Sequence, residues 1–179
     1  MLDIANAMLI VIDIQEKLTR VMYQKENLIS NLQKLIKGIQ VLEVPIIATE
    51  QYPQGLGLTI KEIALLLSNT SPLPKINFSC YGDEEFLRQF ESLDRKHVIV
   101  SGIESHVCVY QTVSDLIRAG YEAHIVTDAI SSRTPENRQI GFDMMSKIGA
   151  HLTSTETVLF ELLRVAEGEI FREISKIIK

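Results

Sequence analysis

The stretch SGIESHVCVYQ, residues 101–111, decides how this chain is read. It overlaps HVIVSG (97–102), short, apolar and rich in β-branched residues, the pattern of a buried strand. After it, Val109, Val113, Leu116 and Ile117 recur at helical spacing, and Gly120 is a usual stop residue. The stretch is therefore a strand-to-helix turn, which Gly102 permits, with Cys108 in the first turn of the helix. A thiol placed there meets free N–H groups and the positive end of the helix, which favour thiolate.

Outward from that turn the same alternation repeats. MLIVID (8–13) reads as a buried strand, and Leu28, Leu32, Leu35, Ile36, Ile39 and Leu42 follow as one face of a helix. PIIAT (45–49) is a second strand and QYPQGLG (51–57) a loop. A short helix is expected over 59–67. SPLPK (71–75) is a stiff extended approach to Lys75, and a helix near 83–92 follows. EAHIVTD (122–128) is a fifth strand. Thr134-Pro135 opens a helix in the cap-then-proline order, with Ile140, Met144, Met145 and Ile148 expected inward and Gly149 closing it. AHLTS (150–154) is a sixth strand, and two helices end the chain.

Six strands alternating with helices predict a single α/β domain over 1–179, a three-layer α/β/α sandwich. Its mostly parallel six-stranded sheet is expected in the doubly wound (Rossmann-like) order 3-2-1-4-5-6. In such sheets ligands sit beyond the carboxyl ends of the strands. Those ends carry Asp13 and Gln15, then Glu50 and Gln51, then Lys75, then Glu104, His106 and Cys108, then Asp128. A carboxylate, a lysine and a cysteine thus converge on one edge: a base, a supporting cation and a nucleophile. Each has a plainer reading alone: Cys108 as a small apolar filler, Asp13 as a helix cap, Lys75 as a surface lysine. His106 lies two residues from Cys108 in a turn, where side chains diverge, and reads as pocket-lining rather than as the base. His97, His124 and His151 sit at strand runs and read as structural, and Cys80 as a bystander.

The bulk numbers exclude several classes. Hydrophobic residues make up 46% and charged residues 23%, ordinary for a globular chain. A net charge of −5 with no Lys/Arg cluster argues against nucleic acid. No apolar run approaches a membrane span, and no basic leader precedes Asp3, so neither a membrane nor a signal peptide is expected. Two cysteines make no disulfide framework, and a reducing, cytoplasmic compartment is expected. No G-x-G-x-x-G or P-loop follows any strand, so nucleotide binding lacks support.

Four segments together resemble the isochorismatase-like cysteine hydrolases over nearly the whole chain: IVIDIQ (10–15), PKINFSCYG (74–82), GIESHVCV (102–109) and TDAISSR (127–133). The resemblance implies a catalytic triad of Asp13, Lys75 and Cys108. It also implies a cis peptide at Ile103–Glu104 and an oxyanion hole from the backbone N–H groups of Glu104 and Cys108. Nicotinamidase-like members bind zinc after the second strand. Here TEQYPQGLG carries no histidine, so no catalytic metal and no cofactor are expected. Gln15, Gln51, Tyr52, Phe78, Tyr81 and His106 are the candidate substrate-binding residues, a polar-neutral and aromatic set. They fit a small amide, carbamoyl or related C–N compound, hydrolysed through a thioester. Vinyl-ether hydrolysis of the isochorismatase type, and a catalytically silent binding module, stay open as alternatives. The family commonly forms dimers, tetramers or larger rings, which implies a homo-oligomer. Ile170, Phe171, Ile174, Ile177 and Ile178 fit docking on the chain's own body or on a neighbour.

Overall fold

Strand β1 (Ala7–Ile12) is buried at every position. A central strand of a parallel sheet is covered on both faces, and its side chains alternate between them. Met8, Ile10 and Ile12 enter one core with Phe86, Phe90, Val113 and Phe142. Ala7, Leu9 and Val11 enter the other with Leu28, Leu32 and Leu159. The structure is a computed structural model that describes all 179 residues.

The remaining strands are β2 (Ile46–Gln51), β3 (Leu73–Lys75), β4 (His97–Ile103), β5 (Glu122–Ser131) and β6 (His151–Thr153). They pair in the order β3-β2-β1-β4-β5-β6, and every ladder is parallel rather than mostly so. Three single-turn helices lie in the connections: α1 (Glu16–Thr19) after β1, then α3 (Pro53–Leu56) and α4 (Lys61–Ala64) after β2. Only α4 forms of the helix expected over 59–67. Helices α2 (Lys25–Val41), α8 (Thr155–Leu163) and α9 (Gly168–Ile178) cover one face. Helices α5 (Glu84–Ser92), α6 (Tyr110–Arg118) and α7 (Pro135–Lys147) cover the other. Side chains start three of them: Asp83 accepts from the Glu85 and Phe86 N–H groups, Thr134 from Asn137, and Ser154 from Thr157. No helix is long and apolar enough to cross a membrane.

Two strand ends and one helix face differ from expectation for local reasons. Strand β2 runs two residues further, because Glu50 and Gln51 pair with Pro74 and Lys75 of β3, while the Gln15 side chain bonds the N–H and C=O of Gln51 as a neighbouring strand would. Strand β5 runs three residues further. The ladder with β4 shifts register between Val100 and Gly102, which brings Ile130 and Ser131 opposite Gly102 and Ile103. Asp128 therefore lies inside the strand, and its carboxylate accepts from the N–H and hydroxyl of Thr155 at the start of α8. In helix α7 Met145 is buried and Ile148 packs on the core as expected, but Gly141 and Phe142 are also buried while Ile140 is 48% exposed, so the inner face is turned toward Phe142. The terminal helix docks on its own chain, with Ile174 buried and Ile178 packed against the α2–α8 core.

Candidate active site

Asp13 follows β1 directly, in a left-handed backbone (φ 54°) that turns its side chain out at the carboxyl edge. The side chain is wholly buried and its two oxygens are differently used. Oδ1 accepts the Thr49 hydroxyl at 2.8 Å, and Oδ2 accepts Lys75 Nζ at 2.8 Å. Lys75 ends β3, two strands away in the sheet. Its ammonium also donates to Gln51 Oε1 (2.7 Å) and to the Phe78 and Asn77 carbonyls (3.1 and 3.2 Å). Burial works against that charge, but Asp13, Cys80 and Cys108 outweigh it and hold the Lys75 pKa above the ordinary lysine value.

Cys108 comes off β4. Gly102 has φ +121°, and any side chain there would collide with the Ile12 backbone, so glycine lets β4 lie close to β1 at this point. The Ile103–Glu104 peptide is cis, as the resemblance implied. The following turn is not the α-helical first turn expected. Ser105–Val109 is a π-helical turn, closed by the Val109 N–H on the Glu104 carbonyl at 3.2 Å, and α6 begins only at Tyr110. Cys108 is 7% exposed, with Sγ 4.0 Å from Gln51 Oε1. Burial, and then the Asp13 carboxylate, push its thiol well above the usual range, with Lys75 opposing. That direction runs against the thiolate expected from the start of a helix. Cys80 lies beneath, 3.7 Å from Thr49 Oγ1, and burial pushes it up to about 11. Thr112 ties the two cysteine segments together, accepting the Cys80 N–H and donating to the Cys108 carbonyl.

The candidate substrate residues divide. Gln51 reaches the site between Lys75 and Cys108, its amide nitrogen anchored on the Ile76 carbonyl. Tyr52 and Phe78 stand half exposed on the segments that carry Gln51 and wrap Lys75. His106 is turned to Ser132, its Nδ1 3.1 Å from Oγ, and makes no hydrogen bond to Cys108. Gln15 is spent on backbone: both amide hydrogens go to the Gln51 and Gly57 carbonyls, and its oxygen takes the Gln51 N–H. With no exposed surface it offers a substrate no free donor and acts as a clip. Tyr81 is turned into the core layer, edge-on to Phe90 and Tyr121. The Glu104 carboxylate leaves the site to pair with Arg133 at 3.1 Å.

Two positioning residues escaped the sequence reading. Ser132 accepts the Ser105 N–H and lies 2.9 Å from the Ser105 hydroxyl, fixing the start of the turn that carries Cys108. Gly141 of α7 packs on that turn so closely that a Cβ would lie 2.5 Å from Ser105 Oγ and 2.6 Å from its carbonyl carbon. A glycine inside a helical pattern was the available signal for Gly141.

A model of the isochorismatase domain matches residues 7–157. Isochorismatase domain-containing protein 2 of Danio rerio is 35% identical over 178 residues, spanning 99% of this chain and 89% of its own. The secreted isochorismatase effector Isc1 of Phytophthora sojae is likewise 35% identical over 178 residues, 97% of this chain and 85% of its own. Among solved structures, the MAR1 ribonuclease from Caenorhabditis elegans superposes with a TM-score of 0.93 at 35% identity, covering 99% of this chain and 91% of that one. The YcaC gene product of Escherichia coli, an octameric hydrolase of unknown specificity, shares the fold (TM-score 0.93, 23% identity, 98% of this chain and 88% of that one). With similarity running from the first residue of β1 into α8, the chain belongs to the isochorismatase-like hydrolase family.

Proposed function

We propose that this chain is a cysteine-dependent hydrolase of small amide, carbamoyl or related C–N compounds, working through a thioester on Cys108. The observation that carries this reading is the buried Asp13–Lys75 ion pair with the Cys108 thiol beside it. A buried pair of this kind costs several kcal/mol per ion in desolvation, which makes it a poor structural filler and a good proton-transfer device.

The resting thiol sets the order of events. The Cys108 proton passes to Asp13 as Sγ attacks the substrate carbonyl carbon, and the C=O electron pair moves onto oxygen. The thiolate that develops sits in the field of Lys75, the one group that lowers the thiol pKa. The oxyanion is met by the N–H groups of Glu104 and Cys108. The Glu104 N–H donates to no acceptor within the protein, which supports that role. The tetrahedral intermediate collapses, the C–N bond breaks, and the amine takes the proton from Asp13. Water then cleaves the thioester with Asp13 as base and returns the thiol.

Gln51 holds Lys75 and borders Sγ, so it is read as the group that sets the substrate's approach. A homo-oligomer is proposed, and the octameric assembly of the YcaC relative supports it. Two free, buried cysteines favour a reducing compartment, although one relative is a secreted effector.

The test is a hydrolase screen of the wild type beside Cys108→Ala. The panel holds small amides, carbamates, nicotinamide, isochorismate and RNA, with and without chelator. Turnover of a C–N substrate that is lost in Cys108→Ala and indifferent to chelator is expected. Turnover that survives in Cys108→Ala would replace the covalent mechanism with Asp13-led vinyl-ether chemistry.

A further inference from the structure

At the opposite edge of the sheet, where β4 and β5 begin, lies a second cluster of functional side chains. His97 opens β4 and Glu122 opens β5, and they are direct partners in the parallel ladder. His124 follows two residues on, against Ile99, so all three side chains leave one face of the sheet. One ligand atom from each lies within 4.8 Å of the other two. His151 of β6 stacks on the outer side of His124, with ring centroids 5.0 Å apart.

The cluster holds an anomaly. His124 is 5% exposed, yet its ring makes no hydrogen bond within the protein, and its Nε2 is shut off from solvent. His97 Nδ1 is likewise buried without a partner. Buried ring nitrogens are ordinarily satisfied, and an unpaired one calls for a ligand.

We propose that His97, Glu122 and His124 form a divalent-metal site, with zinc as the best-fitting ion. Two imidazoles and one carboxylate suit a borderline ion such as Zn²⁺ rather than Ca²⁺ or Mg²⁺, which take oxygen donors. Zinc bonds of about 2.0–2.2 Å put tetrahedral ligands about 3.4 Å apart, so closing the site asks about an ångström of side-chain movement. The ligands stand on adjacent strands whose register is fixed by backbone bonds, so the strand starts need not reorganise. Glu122 is 40% exposed at its side chain, which gives the ion an entry path and leaves a fourth position to water. The metal would fasten β4 to β5 at the end of the sheet remote from Cys108. This site is independent of the hydrolase reading.

The test is zinc titration of chelator-stripped protein against a chromophoric competitor. The wild type, the Cys80→Ala/Cys108→Ala double variant, Glu122→Gln and His124→Leu are compared, each with its thermal transition recorded to establish folding. One equivalent is expected to bind to the wild type and to the thiol-free protein. Affinity should fall at least tenfold in Glu122→Gln and His124→Leu. Saturating zinc should raise Tm in the wild type and not in Glu122→Gln. Cobalt should give tetrahedral visible bands that the same two variants lose. Loss of binding in the thiol-free protein would move the ion to the active site and overturn the proposal. So would unchanged affinity in Glu122→Gln, whose exposed position keeps the fold, or absence of stoichiometric binding to the wild type.

Discussion

Replacing Lys75 with methionine isolates what the buried pair is for. Lys75 Nζ and Asp13 Oδ2 are 2.8 Å apart with side chains 1% and 0% exposed. At an effective dielectric of about 20 their attraction is about 6 kcal/mol, roughly what burying two ions costs, so the intact pair contributes little net stability. Lys75→Met removes the attraction and leaves the Asp13 carboxylate buried with the Thr49 hydroxyl as its remaining side-chain donor. Such an orphaned charge costs about 3–5 kcal/mol. At about 2–4 °C per kcal/mol for a chain of this size, Tm should fall by about 6–20 °C. Adding Asp13→Asn removes the stranded charge and should return more than half of the loss. Thermal unfolding of wild type, both single variants and the double variant closes the cycle, and a coupling energy of about 2 kcal/mol or more is expected. Additive losses, with coupling under about 0.5 kcal/mol, would refute the idea that the two charges exist for each other.

Other outcomes follow from the same geometry. Alkylation of Cys108 by iodoacetamide should be slow at neutral pH and rise with pH beyond the ordinary thiol range, because burial and Asp13 raise its pKa and only thiolate reacts. In Asp13→Asn one raising influence is gone while Lys75 remains, so alkylation at neutral pH should quicken as turnover falls about 10²–10⁴-fold. Slower alkylation would count against Asp13 as a group that holds the thiol pKa up, and undiminished turnover against Asp13 as the proton acceptor. Gly141→Ala should lower kcat more than KM while the chain stays folded, since the added Cβ pushes on Ser105 and not on the substrate. Gln15→Leu should loosen the end of β2, read as faster amide exchange at Gln51 with β1 still protected, because the clip and not a substrate contact is lost.

Much of this was legible because parallel strands announce themselves. Runs such as MLIVI and HVIV are apolar at every position, and the strand-end rule then gathers Asp13, Lys75 and Cys108 without any contact being known. What escaped depended on partners distant in sequence. The π-helical turn at Ser105–Val109 keeps the apolar spacing of the helix beyond it, so periodicity cannot register its wider winding. Residues 129–131 lack the look of a strand and join β5 through the register shift opposite Gly102. Gln15 reads as a pocket residue since a polar side chain past a strand end usually faces ligand. Only the fold shows its amide taking the place of a backbone. His97 and His124 read as structural one at a time, and with Glu122 they become a candidate ligand set once the register of β4 against β5 is known.

The raised thiol gives the site a logic that a preformed thiolate would not. A permanently ionised cysteine reacts with any electrophile that reaches it, at a rate set by exposure. Here Cys108 is 7% exposed, and burial and then Asp13 push its pKa up, which favours the protonated form. Ionisation is favoured only when something accepts the charge that Sγ passes on, and an oxyanion at the Glu104 and Cys108 N–H groups is such an acceptor. In the proposed step the Asp13–Lys75 pair stays near electrical balance: as Asp13 takes the proton, Lys75 exchanges a carboxylate partner for negative charge developing at sulfur and passed to the oxyanion. A substrate lacking a carbonyl oxygen at that position gives the proton no reason to move. On the proposed mechanism, selectivity rests on the coupling of the proton to the oxyanion as much as on the shape of the pocket, which links the slow alkylation expected at neutral pH to the loss of turnover expected in Asp13→Asn.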